Sequence, residues 1–169
     1  MDQGREIHNA PASKNVSAGN CKEEAAKKWM NRHPLVGRES EMKDLALKII
    51  NARYKSYQVM SVWGIAGVGK SALVKNMFCD RICIGTLFQK YGWVDVSHPF
   101  NLWNFSRILL SSLGSEYLQA GETEDLCTMG SRNPIVECRE ILKKHRCLVV
   151  IDGLQSTEEW DLIKANLVS

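Results

Sequence analysis

No apolar run in this chain of 169 residues approaches the about eighteen or more consecutive residues that a helix needs to cross a bilayer. The N-terminus, Met-Asp-Gln-Gly-Arg-Glu, has no hydrophobic signal region. A membrane span and a secretory leader are therefore not expected, and the expected location is the cytoplasm or the nucleus. The six cysteines, at 21, 79, 83, 127, 138 and 147, include no C-x-x-C and have no histidine spacing nearby that suggests zinc. They are expected to be reduced, with Cys79, Cys138 and Cys147 acting as small hydrophobes in apolar segments. The histidines, His8, His33, His98 and His145, are scattered and read as structural. Charge of one sign is scarce too: a net +3, not concentrated anywhere, gives no reason to expect nucleic acid or a membrane surface as partner. There is no internal repeat or low-complexity tract. What is present, 44% hydrophobic and 24% charged residues, suits a soluble globular domain with room for a core.

The most informative stretch runs from Val59 to Phe78. A β-branched, apolar segment feeds Gly64-Ile65-Ala66-Gly67-Val68-Gly69-Lys70-Ser71, which fits G-x-x-x-x-G-K-[ST] at every fixed position, and a helix pattern follows. Gly64, Gly67 and Gly69 are free to take positive φ, so that successive backbone N–H groups can converge on one anion. The following helix adds unpaired donors and the positive end of its dipole. Lys70 would reach the β- and γ-phosphates as a mobile charge, and the Ser71 hydroxyl would hold Mg²⁺. A glycine-rich turn beside an exposed lysine is the plainer alternative, but strand, motif and helix agree on a nucleotide site.

Residues 1–21 hold almost no large apolar side chain and are expected to form a flexible tail, with a short helix over residues 22–30 that His33-Pro34 interrupts. The segment to residue 33 is thus set apart from a domain spanning 34–169. Met42, Leu45, Ala46, Ile49 and Ile50 fall at i, i+3, i+4, i+7 and i+8, which predicts an amphipathic helix. A strand is expected at 58–63, a helix at 70–79 with Leu73, Val74, Met77 and Phe78 inward, and a second strand at 93–96. Asn101 caps a helix that Gly114 ends; residues 115–132 read as a loop. Asn133-Pro134 starts a helix to about His145 that presents Ile135, Val136, Ile141 and Leu142. The cations at 143–146 are ordinary dipole complements at its end rather than a nucleic-acid patch.

Cys147-Leu148-Val149-Val150-Ile151-Asp152 has the look of a strand buried on both faces. A carboxylate at the end of a parallel strand faces the crevice where open α/β sheets bind ligands. Asp152 alone could equally well cap the next turn; about eighty residues after a phosphate loop, the Mg²⁺ role is favoured. Ser156-Thr157-Glu158-Glu159 fits a capping box, with Trp160, Ile163 and Leu167 inward in the helix behind it. The order β-α-β-α-α-β-α argues for an α/β fold, a mostly parallel sheet flanked by helices.

Together, Leu35-Val36-Gly37-Arg38-Glu39, the phosphate loop, Tyr91-Gly92-Trp93-Val94-Asp95-Val96-Ser97 and Leu148-Val149-Val150-Ile151-Asp152 resemble the NB-ARC domain of plant nucleotide-binding, leucine-rich-repeat disease resistance proteins. The resemblance covers residue 34 to the end. It implies a P-loop NTPase-type fold and a switch that holds ADP at rest, exchanges it for ATP and then assembles. In the family the segment matching Leu35 and Val36 lies against the adenine, and the phosphate loop matches Gly67, Val68, Gly69, Lys70, Ser71 and Ala72. Three departures stand out. Gly153 replaces the usual second aspartate, so hydrolysis is expected to be slow or absent. Tyr91 and Gly92 stand where an arginine often precedes the W-V-x-V-S segment. The chain stops before the family's later segments, so the sheet is expected to be incomplete at the C-terminus, two central strands lacking their shared neighbour. Three functions follow: an ADP- or ATP-binding module with Mg²⁺, a weak ATPase, or a protein that docks on intact receptor homologues, or on its own copies, through an open sheet edge.

Overall fold

Two parallel strands, each following a helix, make the centre of this chain. The computed structural model describes residues 15–52, 55, 57–85, 87–114 and 133–168. Strand β1 (Lys90–Asp95) pairs with β2 (Cys147–Asp152) in parallel, in a register that sets Lys90 opposite Cys147 and Asp95 opposite Asp152. Among the described residues six helices surround them: α1 (Asn15–Arg32), α2 (Glu39–Ala52), α3 (Lys70–Ile84), α4 (Leu102–Ser112), α5 (Pro134–Lys144) and α6 (Thr157–Ile163), the last running into a π-helical turn at Lys164–Val168.

Side chains alternate across a strand, and here the alternation sorts two cores. Val94 of β1, with Val149 and Ile151 of β2, packs against Phe105, Leu109, Leu110 and Leu113 of the α4 segment, Cys138 of α5, and Ile163 and Leu167 at the C-terminal end. Tyr91, Trp93, Leu148 and Val150 turn the other way, onto Ile49 of α2 and Met77 and Phe78 of α3. Helices thus lie on both faces of a parallel pair, the α/β class that the order of elements predicts. Helix α1 packs outside α3.

The helix signals work as local chemistry. Asn101 accepts from the Asn104 amide at 2.9 Å and Asn133 from the Ile135 amide at 3.0 Å, so both asparagines cap as predicted. Ser156 accepts from the Glu159 amide at 3.3 Å; the Glu159 carboxylate returns to the amide of Gln155 at 2.9 Å, one residue earlier than a capping box has it.

Other expectations are corrected. The expected strand at 58–63 pairs with nothing: among the described residues the sheet has two strands, and Val59, Val62 and Trp63 are exposed. A β-branched run favours extended backbone, but a strand needs a neighbour's ladder, which no local preference supplies. Strand β2 is half-buried along its length rather than buried on both faces, and among the described residues it has β1 as its single partner. Helix α1 begins at Asn15, inside the stretch read as a tail. Helix α3 runs on to Ile84, five residues beyond its expected end, and stops where Gly85 turns left-handed at φ 65°. Strand β1 starts at Lys90 rather than at 93. On α5, Val136 faces out and Cys138 is fully buried in its place. The expected loop at 115–132 lies outside the described residues.

Candidate functional site

Residues 64–69 turn through three glycines in positive φ: Gly64 at 155°, Gly67 at 77° and Gly69 at 85°. These are conformations that side-chain-bearing residues rarely adopt, so the glycine spacing read from the sequence is the spacing that the turn uses. Gly69 is the N-cap of α3, with no side chain to satisfy the first turn. The first amide of that helix to bond back is Leu73, to the Gly69 carbonyl at 3.0 Å. Helix geometry leaves the amides of Lys70, Ser71 and Ala72 without helical partners, a positive helix end presented beside the glycine turn. Ser71 and Ala72 are exposed.

The Lys70 ammonium folds back onto the turn. It donates to the carbonyl of Gly64 at 2.8 Å and of Ile65 at 2.9 Å, which ties the entry of the loop to the start of α3. An anion settling in the turn would compete for those same N–H donors.

The segment that carries Leu35 and Val36 is tied to α3 and to the turn at two anchors, one on each side of it. Upstream, Asn76 of α3 donates to the Ala72 carbonyl at 3.0 Å and to the His33 carbonyl at 3.4 Å. Downstream, Arg38 donates to the Val68 carbonyl at 2.9 Å and pairs with Glu41 at 2.7 Å. Between the anchors Leu35 is half-buried and Val36 is exposed. The Glu41 carboxyl is held below its ordinary range, first by its own backbone amide and then by Arg38. Both anchors escaped the sequence reading; the one visible signal was the acid three residues after the arginine, a spacing that sets the two side by side on a helix.

Asp152 ends β2 opposite Asp95, half-buried, with its carbonyl accepting from the Val96 amide at 2.8 Å. It is at the C-terminal end of the parallel pair, as expected. Among the described residues no ion pair joins it to Lys70, and no cluster of three acids, histidines or cysteines forms. One serine hydroxyl and one carboxylate leave most of an octahedral Mg²⁺ shell to phosphate oxygens and water, which is how that ion is ordinarily held beside a nucleotide. The donor types fit.

Gly153, where a second carboxylate was sought, has φ 83° and carries no acid. Beside it the two ring nitrogens of His98 lie 3.2 Å from the Glu159 carboxylate and 3.0 Å from the Gly153 carbonyl. This link between the β1 and β2 ends was not foreseen, since His98 and Gly153 are far apart in sequence. Tyr91, one of the two residues in the region where the resemblance implies an arginine, donates to the Arg81 carbonyl at 3.0 Å and closes the end of α3. An added Cβ at Gly92 would lie 3.0 Å from Leu109 and from Leu113, so the residue is small because α4 crosses β1 there.

The NB-ARC domain profile matches residues 38–169 of this chain. A probable disease resistance protein of Arabidopsis thaliana is 29% identical over 138 residues, which is 79% of this chain and 14% of the relative. Disease resistance protein RPP13 of the same plant is 26% identical over 133 residues, 79% of this chain and 16% of that protein. Disease resistance protein RGA4 of Oryza sativa subsp. japonica is 26% identical over 133 residues, 78% and 12% of the two chains. The chain thus spans a small part of the length of each relative.

Proposed function

The chain belongs to the NB-ARC domain family, and from that membership we propose that it is the ADP- or ATP-binding module of a plant disease-resistance type of switch, one that hydrolyses ATP slowly or not at all. The observation that carries this reading is the turn of positive-φ glycines at the N-terminus of α3, with Lys70 folded over it. Amides from Gly67 to Ala72 would hold the phosphates, Lys70 would neutralise them, and Leu35 and Val36 would lie against the base. Mg²⁺, when bound, screens the phosphate charge; Ser71 and Asp152 would hold it. Slow turnover is expected from the missing acid: position 153 offers no carboxylate next to Asp152 to orient or deprotonate an attacking water.

Calorimetric titration of the purified chain with ADP and with ATP tests the reading. Wild type is expected to bind both. Lys70→Ala removes a charge-assisted contact with phosphate and is expected to weaken binding about tenfold or more. Equal affinity in wild type and Lys70→Ala, or no binding in either, would remove the proposal. Steady phosphate release abolished by Lys70→Arg would instead favour the ATPase.

One observation supports a second reading, docking on a homologous chain or on another copy. Among the described residues strand β2 has one partner, Val59, Val62 and Trp63 are exposed, and an open groove of about 440 Å³ lies between residues 60–63 and α2. Unpaired strand edges beside exposed apolar side chains invite another chain. Capture of a full-length homologue that persists in Lys70→Ala would separate docking from nucleotide binding.

A further inference from the structure

The phosphate loop has almost nothing of its own to hold its shape. Gly67 has open space where a side chain would be, and Val68 is exposed. Two cations stitch it instead, one at each end. Lys70 holds the entry, at the carbonyls of Gly64 and Ile65. Arg38 holds the exit, at the carbonyl of Val68, with its guanidinium passing 3.6 Å from where a Gly69 side chain would begin.

The two stitches differ in what binding does to them. On the proposed function, which this inference rests on, Lys70 must release its two carbonyls to meet the phosphates. Arg38 need not move. Its other edge is already held by Glu41 at 2.7 Å, and its backbone carbonyl accepts from the Met42 amide at 3.0 Å in the first turn of α2. Gly37, at φ 70°, turns the chain just ahead of it, and the Gly37 amide is met by the Glu39 carboxylate at 3.2 Å. A planar guanidinium has separate N–H groups for two acceptors at fixed angles, and a lysine ammonium lacks that fork.

We propose that Arg38 is a positioning residue of the nucleotide site: braced by Glu41 on α2, it clamps the Val68 carbonyl and keeps the Gly67 to Gly69 turn in its left-handed shape while Lys70 changes partners. The Leu35 to Glu39 segment is then a mechanical link between α2 and the loop as well as a wall for the base. The ion pair itself is partly solvated and contributes little to global stability, so its effect belongs in the loop.

Amide hydrogen exchange without nucleotide, together with ADP titration, tests the clamp. In Arg38→Ala, exchange across 67–71 is expected to rise while the amides of β1, β2 and α4 keep their protection. ADP affinity is expected to fall about tenfold, the scale of one hydrogen bond to a charged group. Glu41→Gln, a change of an exposed side chain that leaves the fold alone, is expected to move both readings the same way by less. Arg38→Lys keeps the charge without the fork and is expected to behave like Arg38→Ala. Unchanged exchange at 67–71 in Arg38→Ala, or in Glu41→Gln should Arg38→Ala not fold, would overturn the clamp. Full wild-type affinity in Arg38→Lys would overturn it as well, by showing that charge alone suffices. If wild type binds no ADP, the nucleotide reading fails, and the exchange measurement still decides the clamp.

Discussion

Cys138 shows what a single side chain owes to its surroundings. It is fully buried among α4, α5 and the C-terminal helix, and its thiol donates to the Ser106 carbonyl at 3.2 Å. Burial, helped by the neighbouring Glu137 carboxylate, pushes the thiol up from 9.0 to about 12. The native state keeps its proton where the unfolded chain gives it up, so this residue's contribution to stability is complete below pH 9 and falls as pH rises from about 9 toward 12. Two outcomes are expected: Cys138 stays unmodified by a thiol reagent at pH 8 under native conditions, and thermal stability drops between pH 9 and 11 less steeply in Cys138→Ala than in wild type. Mass spectrometry of labelled peptides and melts across that range check them. Labelling of native Cys138 as fast as of the unfolded chain would contradict the packing.

Element by element, short-range signals and long-range contacts divide the work. Helices α4 and α5 begin where an asparagine cap predicts, because the acceptor and the amide it satisfies are two or three residues apart. The identity of Gly92 has no such local reason. It is set by Leu109 and Leu113, seventeen and more residues on, and β1 accepts α4 only at that closeness. Gly92→Ala is expected to cost about 1–3 kcal/mol, the usual scale for an overfilled contact between packed elements. A denaturant melt measures it, and a loss under half a kilocalorie would mean that α4 shifts freely. The same distinction explains α5: periodicity alone offered Val136 to the core, whereas packing against Ser106 of α4 chose Cys138.

At the scale of the whole molecule, the parallel pair, its helices on both faces and the glycine turn at the head of α3 form an α/β architecture whose sheet is two strands wide among the described residues. On the docking reading, exposed Val59, Val62 and Trp63 would carry the contact with another chain. Val62→Lys combined with Trp63→Lys is expected to reduce concentration-dependent association in sedimentation velocity without lowering the melting temperature, since neither side chain is buried. Association unchanged by both charges would place the contact elsewhere. No helix of the described residues is long and apolar enough to cross a membrane.

The sequence by itself determined what depends on neighbours along the chain: the glycine spacing of the loop, the caps, the 3.6-residue stripe of α2, the apolar run of β2 with Asp152 at its end, and from their order a parallel α/β class. Only the tertiary structure decided what depends on partners brought from afar. Residues 58–63 have the composition of a strand and no ladder, Tyr91 closes α3 where an arginine was sought, His98 joins Glu159 to Gly153, and Arg38 reaches Val68 thirty residues away. The reason is physical: a dihedral preference or a cap is satisfied within a turn of chain, whereas a hydrogen-bond acceptor across the fold exists only once the fold has placed it.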